Sequence, residues 1–99
     1  DVAKAMNDYK TAEGYYAKAL EISKRLAEMF PGVPMLKDDL ALSLFNCGTC
    51  SVDGKLSSEQ KAMLRSAAAI WEELYKQTGY ELYAERREDA QNRLNQCSE

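Results

Sequence analysis

The stretch Asn7-Asp-Tyr-Lys-Thr-Ala12-Glu-Gly-Tyr-Tyr16-Ala-Lys-Ala19-Leu-Glu-Ile22 decides the fold class. Ala12, Tyr16 and Ala19 recur at intervals of four and three, and the pattern runs on through Ile22 to Leu26 and Met29 or Phe30. That spacing sets the apolar residues on one face of a helix rather than on alternate sides of a strand. It predicts a first helix over 7–30. Pro31-Gly32-Val33-Pro34 ends it, because proline lacks an amide hydrogen and restricts the residue before it.

Three further helices follow by the same reasoning. Over 35–50, Leu36, Leu40, Leu44 and Cys47 line one face, with Leu42, Phe45 and Thr49 on a neighbouring one. Ser51-Val-Asp-Gly54 has the composition of a turn. Ser57 with Gln60 three residues on makes a capping box that opens a third helix, over 57–77. Met63, Ala67, Ile70 and Leu74 form its apolar stripe, with Ala62, Ser66 and Ala69 as a small-residue stripe beside it. Trp71, one step off the main stripe, is expected half-buried. Thr78-Gly79 stops this helix. A fourth, over 81–96, carries only a thin stripe of Leu82, Tyr83, Ala90, Leu94 and Cys97, as suits a terminal cap with its outer face in water.

Composition narrows the function classes. With 45% hydrophobic and 29% charged residues the chain has an ordinary globular balance, and 99 residues suit one domain, 1–99. The net charge of −3 and the interspersed signs offer no basic stripe for a phosphate backbone, so nucleic acid is not expected as a partner. Arg86-Arg87 is the densest basic spot, and Glu81, Glu85, Glu88 and Asp89 flank it, which reads as a solvated helix face. No apolar run reaches the roughly 18 residues that a membrane span requires. Three cysteines exclude a fully paired disulfide set, and a reducing cytoplasm is the expected setting. Histidine is absent, which removes the commonest general base and metal ligand together.

Sliding the chain along itself by 50 residues aligns Ala12 with Ala62, Ala17 with Ala67, Ala19 with Ala69 and Leu20 with Ile70. In the same register Asp39 meets Asp89, Leu44 meets Leu94 and Cys47 meets Cys97, so we read a degenerate internal repeat. Within it, Asn7 to Ile22 resembles the second helix of a tetratricopeptide repeat (TPR), where a turn residue and an aromatic precede alanine, a large residue and alanine. Asp39-Leu-Ala-Leu-Ser-Leu44-Phe-Asn46-Cys47-Gly48 resembles that family's first helix, with Gly48 at the tight crossing between paired helices. The resemblance covers nearly the whole chain. It departs from the common pattern in a longer 48–62 segment, in Ser66 where an aromatic is usual, and in longer helices, like the long-helix variants of bacterial regulatory proteins. It implies an all-α fold of antiparallel helix-turn-helix repeats in a right-handed superhelix, with a C-terminal capping helix. Asp1–Met6 would be the tail of a first helix, so the chain is expected to be an excerpt of a larger array.

Candidate chemistry is thin. Cys47-Gly-Thr-Cys50 lies near a helix C-terminus, where the dipole opposes a thiolate, and even with Cys97 a zinc site lacks a fourth ligand. Core packing is the favoured role for these cysteines. Asp53 to Gln60 mimics the second half of a calcium loop, but Thr49 and Gln60 stand where its strongest ligands belong. The six tyrosines fall at helical spacings and read as packing residues. Acid pairs such as Glu72-Glu73 and Asp38-Asp39 point about 100° apart on a helix and cannot jointly flank a substrate.

The chain is therefore read as no enzyme, with no metal and no cofactor. By the resemblance, first helices line a concave groove, which places Leu42, Phe45, Asn46 and Thr49 towards a protein or peptide partner. Asn46 corresponds to the family's groove asparagine, and burial against the fourth helix is the competing role for Phe45. No nucleic acid and no membrane partner is expected. A self-associating homo-oligomer, formed through the helix carrying Tyr9, Ala12 and Tyr16, is the main alternative. A cysteine-based redox or metal sensor is the lesser one.

Overall fold

Each helix boundary has a local chemical cause. In the computed structural model, which describes residues 2–51 and 53–96, four helices follow in order: α1 (Val2–Met29), α2 (Pro34–Thr49), α3 (Ser58–Thr78) and α4 (Glu81–Gln96). Among the described residues there is no strand, so the fold is all-α. Pro34 opens α2 in the first turn, where its missing N–H costs nothing. Ser57 and Gln60 close the capping box in both directions, at 3.1 Å and 3.0 Å. Gln60 also donates through Nε2 to the Cys50 and Cys47 carbonyls, at 2.6 Å and 3.2 Å, so one side chain finishes α2 and starts α3. Gly79 ends α3 in the left-handed region, at φ 69°, its N–H bonded to the Tyr75 carbonyl.

The helices pack on their sequence neighbours: α1 on α2, α2 on α3, and α3 on α4. The core is drawn from the last three, as Ala41, Leu44, Leu64, Ala67, Trp71, Leu74, Ala90 and Leu94. Leu64, Trp71 and Leu74 are its largest fully enclosed side chains, and all belong to α3. Burying each of these contributes roughly 1.5–3 kcal/mol. Gly48 lets α2 and α3 cross closely: a Cβ there would stand 3.0 Å from both the Gln60 carbonyl oxygen and Leu64 Cγ.

Several expectations change. α1 runs unbroken through Asn7, so the turn expected there is absent; Asn7 lends its carbonyl to the Thr11 hydroxyl instead of capping a helix. The single apolar stripe expected on α1 splits in two. Tyr9, Ala12, Tyr16, Ala19, Leu20, Ser23 and Ala27 are half-buried, whereas Ile22, Leu26 and Met29 are exposed. A seven-residue spacing drifts about 20° per heptad on a straight helix, which carries the 12-19-26 row off the contact. Trp71 is only 1% exposed rather than half-buried, because its indole N–H finds Asp38 Oδ1 at 2.8 Å.

Ala62, Ser66 and Ala69 face solvent, although their partners in the 50-residue register, Ala12, Tyr16 and Ala19, lie towards α2. The repeat in sequence is not a repeat in packing there. Nor are Arg86 and Arg87 simply solvated. Arg86 Nη1 donates to both Asp38 oxygens at 2.6 Å, and Arg87 pairs with Glu72 while lying 5.8 Å from the Tyr75 ring centroid. Cys97, placed in the fourth stripe, lies outside the described residues.

Candidate functional site

The face of α2 that carries Leu42, Phe45, Asn46 and Thr49 is divided by its neighbours. Asn46 and Thr49 open onto a cleft of about 470 Å³ whose other wall is α1, through Ala5, Asp8, Tyr9, Ala12 and Tyr16. Leu42 and Phe45 turn the other way, into a cleft of about 160 Å³ with Trp71, Arg86 and Asp89. Phe45 stacks at a tilt on Trp71, ring centroids 6.0 Å apart, and both Leu42 and Phe45 pack against the core cluster. Packing thus engages two of the four side chains. Thr49 is half-committed, its hydroxyl donating to the Phe45 carbonyl at 2.8 Å. Asn46 alone of the four is exposed.

On the other side of Tyr9 and Tyr16 a second cleft, of about 380 Å³, holds Glu13, Cys47, Cys50, Ser57, Gln60 and Met63 among its walls. Both thiols are half-buried and free. Burial, then the neighbouring Cys50, pushes the Cys47 thiol up; burial, then the Glu13 carboxylate, does the same for Cys50. The pair therefore favours the protonated form, the opposite of what nucleophilic disulfide exchange requires. No three metal-ligating side chains come together among the described residues. The calcium-like stretch is a closed turn: Asp53 Oδ1 accepts from the Ser51 hydroxyl and the Lys55 amide, at 3.1 Å and 2.9 Å. Tyr9 donates to Glu13 at 3.0 Å, which raises the phenol's own pKa.

The feature that sequence reasoning misplaced is the second apolar row of α1. Tyr15 is 71% exposed, Ile22 60% and Met29 61%, with Leu26 between them and Met35 of α2 open nearby in sequence. This row joins the Asn46 cleft, because Ala12 and Tyr16 line both that cleft and a shallower one that includes Tyr15. The signal is present in the sequence as the 15-22-29 heptad, but the expected single stripe takes in Ile22 and Met29 and leaves Tyr15 among the packing tyrosines. No helix among the described residues is long and apolar enough to cross a membrane. Comparison with family models, with curated proteins and with solved structures finds no match for the chain.

Proposed function

We propose that the chain is a protein-interaction module that receives a peptide or protein segment against its α1–α2 face. The observation that carries this reading is the exposed row Tyr15, Ile22, Leu26 and Met29, continuous with the cleft that holds Asn46 and Thr49. Exposed apolar surface costs solubility and is a common mark of a docking site. Asn46 supplies a donor and an acceptor for a bound backbone at the cleft's edge. Leu42 and Phe45 belong to this proposal as the support behind α2 rather than as the contact itself. The tetratricopeptide resemblance and a cytoplasmic setting remain part of the proposal. Neighbour-on-neighbour packing favours a helical repeat, and the exposed Ala62, Ser66 and Ala69 weigh against the tetratricopeptide arrangement.

The test is a display selection of random linear peptides on wild type and on Asn46→Arg, which fills the cleft mouth without touching the core. A consensus enriched by wild type and lost by the variant supports the cleft. Equal enrichment on both removes the cleft from the contact, and no enrichment on either overturns the reading. Self-association through α1 is the second reading, favoured by the same exposed row. A sedimentation series over concentration separates the two.

A further inference from the structure

The exposed row on α1 has an order that suits one kind of occupant. Ala5, Ala12, Ala19 and Leu26 alternate with Asp8, Tyr15, Ile22 and Met29 at steps of three and four, a heptad pattern from 5 to 29. Tyr9, Tyr16 and Ser23, which meet α2, stand about 100° round the helix from Asp8, Tyr15 and Ile22, with Ala12 and Ala19 between the two rows on the α2 side. Two rows set at such an angle belong to a helix that touches two neighbours, as at the corner of a bundle. Among the described residues, α2 is the helix with which α1 shares an extensive contact, and no second one matches it.

Shape and charge describe what would fill the other side. Tyr15, Ile22, Leu26 and Met29 project from this side at helical intervals, and the side chains of a helix seat between projections so spaced. The outer edge of the row is Lys4, Thr11, Lys18 and Arg25, each seven residues from the last, with no acid among them. Arg25 touches Glu21 one turn back at 3.4 Å, an exposed pair of little net energy that an incoming carboxylate can replace. A second copy laid antiparallel on the row would set Lys18 and Arg25 against their own counterparts, an unfavourable match. An acidic edge is the complementary one.

Resting on the interaction reading above, we infer that the 12–29 face of α1 docks an amphipathic helix of another protein, with carboxylates along the edge that meets Lys18 and Arg25. The contact spans about 25 Å at 1.5 Å per residue.

The experiment is a second display selection, using three-heptad amphipathic helices with randomised edge positions. Wild type, Ile22→Glu and a Lys18→Glu/Arg25→Glu double variant are the baits, each checked for unchanged helicity and thermal midpoint. Wild type is expected to enrich Asp and Glu along one edge. The double variant should reverse that preference to Lys and Arg, and binding of a selected peptide should fall about tenfold or more on Ile22→Glu, as loss of a central apolar anchor does. Enrichment with no acidic bias overturns the charge assignment. No enrichment on folded wild type overturns the inference. So does a wild-type dimer that Ile22→Glu dissolves, which assigns the row to a second copy. Adsorption to phosphatidylserine vesicles, lost in Ile22→Glu and unaccompanied by helix enrichment, assigns it to a membrane surface. If random linear peptides still select an Asn46-dependent consensus while the helix library fails, the interaction reading stands and this inference falls alone.

Discussion

Asp38 is the residue on which three helices meet. It accepts from the Trp71 indole of α3 and from the Arg86 guanidinium of α4, with only 16% of its own side chain exposed. Removing the carboxylate strands a buried indole N–H and a half-buried guanidinium together, and unpaired groups of this kind are costly. Asp38→Ala should therefore lower unfolding free energy by about 2–3 kcal/mol in urea titrations. Trp71→Phe loses both this hydrogen bond and part of the enclosed ring, leaving a cavity, and should cost about 2–4 kcal/mol. Asp53 gives a pH-dependent counterpart. Hydrogen bonds from the Lys55 amide, then from Ser51, hold its carboxyl below the ordinary 3.8. Its folded pKa is depressed, so its contribution is fully present above pH 3.8 and is lost as pH falls through the lower folded value. Asp53→Asn should flatten that part of the stability profile and lower the neutral region by the contribution it removes. Of these roles, periodicity disclosed none. Asp38 pairs across 48 residues with Arg86, and no local pattern announces a partner so distant.

The helices themselves were legible. The expected spans 7–30, 35–50, 57–77 and 81–96 match α1 to α4 within a residue or so, except where α1 begins. Proline, glycine and the Ser57–Gln60 box act locally, and their effect on the backbone does not depend on the rest of the fold. Which face each helix buries was less legible. On α3, Met63 and Ile70 carry the periodic signal, yet Leu64 and Trp71 are the enclosed side chains, since α3 must serve α2 and α4 at once. A helix with two neighbours has no single buried stripe. Gly48 is a case where sequence and structure agree closely. Ala at this position would press on the Gln60 carbonyl and Leu64 at 3.0 Å, and the former is backbone rather than the end of a flexible side chain. Gly48→Ala should destabilise by about 1–3 kcal/mol despite its better helix propensity, read as a lowered urea midpoint. Ala at exposed Gly14, where nothing lies near, should instead stabilise α1 by about 1 kcal/mol.

At the scale of the whole molecule, the 45 × 30 × 20 Å body is unevenly consolidated. α2, α3 and α4 share one enclosed core and the Asp38 network, while among its described side chains α1 contributes none that is fully buried. Its chief tie besides half-buried packing is the Ser23–Ser43 hydroxyl contact at 3.0 Å. Amide hydrogen exchange should divide accordingly: α1 amides exchange through a local opening, well before those of α3, which await global unfolding. Uniform protection across all four helices would contradict this division. The candidate site was half legible for a related reason. Asn46 and Thr49 open onto the cleft beside α1, whereas Phe45 packs against the core, where Trp71 offers it a ring. Neighbour-only packing also has a mechanical side. Pulled apart between its two ends, the chain should yield first at the α1–α2 seam. That step would release a long tether at low tension and leave a resistant three-helix remainder, and a partner that bridged α1 and α2 would turn the weakest joint into a load-sensing one.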